Sequence, residues 1–154
     1  MKCLIILGEI MFEIKKVDEF NIDEVKSFLL TVPTIIEIDD EVLKNGFVLY
    51  SNKIIKLVIS CYIKYNYALI RYFVYKKDID EIFIKETLNL LERELFLNCI
   101  DYLVAIVDSK EIFKLYSKLD FKVDKKGIFT RNNTINKKTK IMVKHIYLEK
   151  TKFN

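Results

Sequence analysis

Residues 47–75 read FVLYSNKIIKLVISCYIKYNYALIRYFVY, and this stretch decides the fold. Phe47–Tyr50, Ile54–Lys64 and Tyr67–Tyr75 are runs of β-branched and aromatic residues, the composition that fits a pleated, half-buried surface. They are parted only by Ser51-Asn52-Lys53 and Tyr65-Asn66, connections short enough to be hairpin turns. The stretch therefore predicts an antiparallel meander of three strands.

Downstream, the period changes. Ile84, Leu88, Leu91 and Leu95 fall at helical spacing and predict a helix over residues 80–97. Residues 102–107 form a continuous apolar run, as expected of a strand covered on both faces. Asp108-Ser109-Lys110-Glu111 has the form of a capping box and opens a short helix to about Lys118. Residues 121–130 are weakly strand-like, 132–139 are a polar loop, and 141–148 make a last strand. Upstream, residues 12–17 predict a strand. Asn21-Ile22-Asp23-Glu24 forms a second capping box, with Asn21 as the cap. Ile22, Val25, Phe28, Leu29 and Val32 line one face of the helix that follows. Pro33 ends that helix or begins another, which runs to about Leu43 and stops at Asn45-Gly46. The order is β-α-α-β-β-β-α-β-α-β-β. This is an α/β (α+β) fold, with a mixed, mostly antiparallel sheet flanked by helices.

The 154 residues suit one domain over 11–150, with 1–10 as an extension and 151–154 as a tail. With 51% hydrophobic and 31% charged residues, the chain can build a core. A net charge of +4 falls short of the basicity that marks a nucleic-acid binder, and the acids at 78–81 interrupt the aromatic and lysine residues of 64–77. One histidine, His145, excludes a histidine-based metal site or triad. The three cysteines are odd in number and form no CxxC, so neither a disulfide framework nor bound metal is expected. Cys61 and Cys99 read as core residues, and a reducing, cytoplasmic compartment fits. The apolar residues 1–10 are too short to span a membrane and are broken by Gly8 and Glu9, a poor signal peptide.

The segment Leu115-Tyr116-Ser117-Lys118-Leu119-Asp120-Phe121 resembles the LYxKLGF segment of GNAT acyltransferases, with Asp120 in place of the glycine. The element order resembles theirs too, over residues 12–149. The resemblance implies acetyl-CoA lying between residues 67–75 and 102–107, whose strands run parallel. It implies Tyr116 as the general acid that protonates the departing thiolate. Val74, Lys76, Lys77, Lys85 and Ser109 are then the residues placed to hold the cofactor. The family's diphosphate loop, Q/R-x-x-G-x-G/A, works through helix-start N–H groups that glycines leave accessible. Here Asp80, Ile82 and Ile84 stand where small residues belong, and no glycine occurs between Gly46 and Gly127. Asp78, Asp80 and Glu81 are expected to cap the helix themselves and to repel anions. Glu37, Asp39, Asp40 and Glu41 read as a solvated helix face or as a site for a cationic substrate. Two functions follow. One is an N-acyltransferase with a weakened acetyl-CoA site, acting on a small-molecule or peptide amine. The other is a degenerate, non-catalytic domain that binds a protein partner or another ligand.

Overall fold

The computed structural model describes residues 2–129 and 139–147. The elements are β1 (Lys2–Leu7), β2 (Ile10–Lys16), α1 (Ile22–Leu29), α2 (Asp40–Leu43), β3 (Gly46–Ser51), β4 (Ile54–Lys64), β5 (Tyr67–Tyr75), α3 (Glu81–Leu97), β6 (Tyr102–Val107), α4 (Lys110–Lys118), β7 (Lys122–Val123) and β8 (Lys140–His145). This is a mixed α/β architecture with mostly antiparallel strand pairs. The described chain divides into two compact units, residues 1–62 with 71–91 and residues 63–70 with 92–154.

In the first unit the strands follow the order β1-β2-β3-β4, each pair antiparallel. The β3–β4 turn uses φ of 48° at Asn52 and 69° at Lys53, as a two-residue hairpin turn requires. Asn52 ties this tip to β2: its N–H donates to the Met11 carbonyl (2.9 Å) and its Oδ1 accepts the Met11 N–H (3.0 Å). Val48, Leu49, Leu57 and Val58 are fully buried, so both faces of this hairpin are covered. Val25 and Leu29 of α1 and Val42 and Leu43 of α2 pack with Val48, Tyr50 and Val58 in one cluster.

Three features differ from the sequence reading. Asn21 precedes α1 but its side chain makes no capping bond; it braces the approach instead, accepting the Asp18 N–H (2.9 Å) and donating to the Lys16 carbonyl (3.0 Å). Glu24, the expected partner in that box, accepts from the Tyr50 hydroxyl (3.2 Å), while the Asn21 N–H that the box would have offered it donates to Asp18 Oδ1 (3.0 Å). The second helix shrinks to α2, started at Asp39, whose Oδ1 accepts the N–H groups of Glu41 (3.0 Å) and Val42 (3.4 Å). Upstream of it the Tyr72 hydroxyl holds the chain non-helical, accepting the Asp39 N–H (3.1 Å) and donating to the Glu37 carbonyl (3.4 Å). Residues 2–7 form a strand that the sequence reading did not anticipate, paired with β2 through a turn at Gly8 (φ 61°).

In the second unit, Tyr67–Leu69 of β5 pair parallel with Tyr102–Val104 of β6, as the sequence reading requires. The other edge of β6 pairs antiparallel with β8, and β8 with β7. Tyr67, Val104, Phe129 and Ile141 form the core here. The helix cap expected at Asp108 lies one residue on: Ser109 Oγ accepts the Ile112 N–H (3.2 Å). The strand expected over 121–130 is only β7, since Asp124 turns the chain by accepting the N–H groups of Ile128 (3.1 Å) and Phe129 (2.9 Å). Cys61 is buried, but Cys99 is exposed. It takes φ 63° just past α3, where the Ile100 N–H returns to the Leu95 carbonyl (3.0 Å). That left-handed position usually falls to glycine. The expected loop over residues 132–138, and the last residue of the expected final strand, Leu148, lie outside the described residues. Among the described residues no helix is long and apolar enough to cross a membrane.

Gly46 opens β3 where β4 passes closely. A Cβ there would lie 2.5 Å from the Ile59 carbonyl oxygen and 2.5 Å from the Ser60 Cβ. Gly46→Ala should lower unfolding free energy by about 2–3 kcal/mol, as backbone displaced in a packed core does. Gly8→Ala meets open space and only a positive φ, so it should cost about 1–2 kcal/mol. Urea denaturation of both variants checks the order.

Candidate functional site

The segment that the resemblance assigns to diphosphate binding runs from the end of β5 to the first turn of α3. Its position is set by a bulge. Opposite Leu49-Tyr50 of β3, the β4 register skips Lys56 between Ile55 and Leu57. A bulge turns the extra residue out of the ladder. The Lys56 carbonyl accepts the Lys76 N–H (2.9 Å), and its ammonium pairs with Asp78 (3.1 Å). The hydrogen bond from Lys56 and its charge hold the Asp78 carboxyl below the usual carboxylate range.

At the helix start, Asp80 Oδ1 accepts the Ile82 N–H (3.1 Å), while the Asp80 carbonyl accepts the Phe83 N–H (3.1 Å). Asp80 thus caps α3 as expected. Asp78 does not; a lysine in reach offers a stronger, charged partner. The side chains of this turn are large. Ile82 is 57% exposed. Phe83 is buried and stacks on Phe12 with ring centroids 3.9 Å apart. Ile84 is buried as well.

The other sequence-predicted residues are scattered. Val74 packs against the core of the first unit. The Lys76 ammonium lies over the Phe28 ring, 5.6 Å from its centroid. Lys77 and Lys85 are exposed. In the second unit, Ser109 caps α4 and borders a hollow of about 450 Å³, lined also by Val107, Asp108, Lys110, Phe113, Lys114 and Lys140. The Lys140 ammonium sits 5.0 Å from the Phe113 centroid. Tyr116 is 5% exposed and meets Phe121 edge-on at 4.9 Å, both within the LYSKLDF segment. The parallel register of β5 and β6 ends at Leu69 and Val104, while β6 continues to Val107.

Of the four acids at 37–41, three have structural duties. Asp39 caps α2, Asp40 pairs with Lys26 (2.9 Å), and Glu41 pairs with Lys44 (3.5 Å). The hydrogen bond and charge of Asp40 raise the Lys26 ammonium above its usual range. The sequence reading overlooked two polar pairs. Burial, then the Glu24 carboxylate, push the Tyr50 phenol upward. Glu92 of α3 and Lys144 of β8, both largely buried, meet at 3.1 Å. Glu92 follows Leu88 by one helical turn, so its place on the apolar stripe was the available signal. Among the described residues no cluster of His, Cys, Asp and Glu could hold a metal ion.

No protein-family model matches this chain, and no curated protein matches it in sequence. Solved structures do match in fold. The N-acetylglutamate synthase of Neisseria gonorrhoeae, complexed with coenzyme A and N-acetyl-glutamate, superposes with a TM-score of 0.67 at 10% identity. That match covers 89% of this chain but 35% of the synthase, so this chain spans about a third of it. The ribosomal-protein-S18-alanine N-acetyltransferase of Escherichia coli gives 0.64 at 14% identity, covering 90% of this chain and 96% of that one. An acetyltransferase of the GNAT family from Streptococcus pneumoniae gives 0.65 at 14% identity, covering 88% and 99%.

The Asp78–Lys56 pair carries a titration test. A depressed carboxyl stabilises the fold above the ordinary carboxylate range, and loses that contribution as pH falls through its lowered pKa. Lys56→Gln should move the Asp78 midpoint upward toward its ordinary value, read from the side-chain carboxyl carbon by NMR. An unmoved midpoint would mean that the lysine is not its partner in solution.

Proposed function

We propose, from the GNAT N-acetyltransferase fold that this chain carries, that it has lost the diphosphate cradle of that fold and serves as a non-catalytic binding domain. The observation that carries this reading is the start of α3. The Ile82 N–H that would face a diphosphate is held by Asp80. Asp78 and Glu81 add two more carboxylates within the same four residues. Carboxylates at this helix start disfavour an approaching anion, with the Asp78 charge partly offset by Lys56. Aspartate and isoleucine, at Asp80, Ile82 and Ile84, replace the small residues that would let phosphate oxygens reach the backbone. A coenzyme A diphosphate does not fit these residues, and no catalytic step is assigned through it.

One observation favours a second reading, that of a weak acetyl-CoA-dependent N-acyltransferase. The hollow beside Ser109 gathers Lys110, Lys114 and Lys140 against one carboxylate, Asp108, and this excess of positive charge would attract phosphates. In that reading Tyr116 would serve as the general acid, and the acceptor would be a small-molecule or peptide amine.

Calorimetric titration with acetyl-CoA separates the two. The unmodified protein should show no micromolar binding, since each phosphate hydrogen bond that cannot form costs about 1–3 kcal/mol, and several together weaken affinity by roughly 100-fold or more. Asp80→Gly with Ile82→Gly should strengthen binding. Ile82 is mostly exposed, so that glycine costs only about 1 kcal/mol of helix stability. Ile84, being buried, is left in place. Micromolar binding by the unmodified protein, abolished when Lys110, Lys114 and Lys140 become alanine and accompanied by acetyl transfer to an amine, would replace the first reading with the second.

A further inference from the structure

Strand β1 is an unfinished ladder. It ends the strand order of its unit, and among the described residues no strand pairs with its outer side. Which of its backbone groups point outward follows from β2. Met11 exchanges hydrogen bonds with Asn52, and so turns both its groups toward β3. In an antiparallel ladder, alternate residues turn both groups to the same neighbour. Phe12 and Ile14 therefore serve β1, opposite Ile5 and Cys3. The N–H and carbonyl groups of Leu4 and Ile6 are left pointing off the edge. Their side chains are also the exposed ones, Leu4 at 52% and Ile6 at 63%. An apolar edge with open backbone groups is a template for another strand.

We propose that β1 pairs antiparallel with β1 of a second copy of this chain, across a two-fold axis at Ile5. Three features point to a second copy. First, the register is self-complementary. Leu4 faces Ile6 of the other copy and exchanges both bonds with it, and symmetry repeats the exchange. Second, the four exposed side chains of Leu4 and Ile6 join in one apolar patch on one face, the kind of cross-strand packing that stabilises sheets. Third, the sequence charges are complementary: residue 2 at the start of β1 is positive and residue 9, in the turn after it, is negative, so antiparallel pairing brings ends of opposite sign toward each other. A two-residue shift loses this. Centred on Leu4, the ladder sets Lys2 against Ile6; centred on Ile6, it sets Leu4 against Gly8. The two-fold is isologous and closes at a dimer. One strand pair buries little area, so the dimer should depend on concentration.

At the axis, Ile5 faces its own copy in a non-hydrogen-bonded pair, with Cα atoms about 4.5 Å apart. That distance suits a disulfide. Sedimentation velocity on the full chain should show monomer passing to dimer as concentration rises through the micromolar range. Leu4→Lys with Ile6→Lys should leave a monomer with an unchanged circular dichroism spectrum. In a Cys3→Ser, Cys99→Ser background, Ile5→Cys should cross-link to a covalent dimer on mild oxidation, much faster than Leu4→Cys. A wild-type monomer at all concentrations, or a dimer that survives the lysine variants, would overturn the proposal. Equal cross-linking at residues 4 and 5 would overturn the register.

Discussion

Backbone pairing between β3 and β4 is the constraint on which the first unit depends. Side chains on both faces of this hairpin are fully removed from water, as Val48, Leu49, Leu57 and Val58 show. Peptide groups carried inside with them must find partners within the sheet. The ladder therefore tolerates little slack. Gly46 is the point where no side chain fits, and Asn52 is the point where the tip is tied to β2. The one irregularity, at Lys56, falls where its neighbours Ile55 and Leu57 stay buried and its own side chain is released. From there the carbonyl and ammonium of Lys56 fix the chain between β5 and α3. A local fault in one hairpin thus positions the segment on which the functional question turns.

Long-period features were legible in the sequence. The strands from Phe47 to Tyr75, helix α3 and strand β6 declare themselves through runs of four or more residues whose burial pattern matches their spacing. Choices made by single polar side chains were not. Asn21 and Glu24 have the spacing of a capping box, but an asparagine can as well brace the preceding turn, and the glutamate was claimed by Tyr50. Asp108 and Ser109 are both competent caps, and the structure uses the second of them. Residues 33–39 lack a strong period, so a distant tyrosine, Tyr72, decides their shape. The Tyr72 bonds join residues more than thirty positions apart, and no local pattern encodes them.

For the candidate site, the sequence disclosed what is missing, and the structure shows what replaces it. An absent glycine is visible in any sequence. Only the folded chain shows that the place is taken by a self-capped, acid-flanked helix start, pinned through Lys56 and packed through Phe12 on Phe83. The same interactions make the helix start a sound structural unit. Charge, capping and aromatic stacking there all favour the helix as it stands, a consistency expected of a sequence fitted to its fold.

The buried pair of Glu92 and Lys144 constrains how this sequence can change over time. Each charge is tolerable in its low-dielectric setting because the other is there. Removing one partner of a buried ion pair costs about 3–5 kcal/mol, whereas replacing both with apolar residues of similar size is often neutral. Positions 92 and 144 should consequently be inherited as a unit. In descendants of this chain they would be found both charged or both apolar, with intermediates rare, although 52 residues separate them.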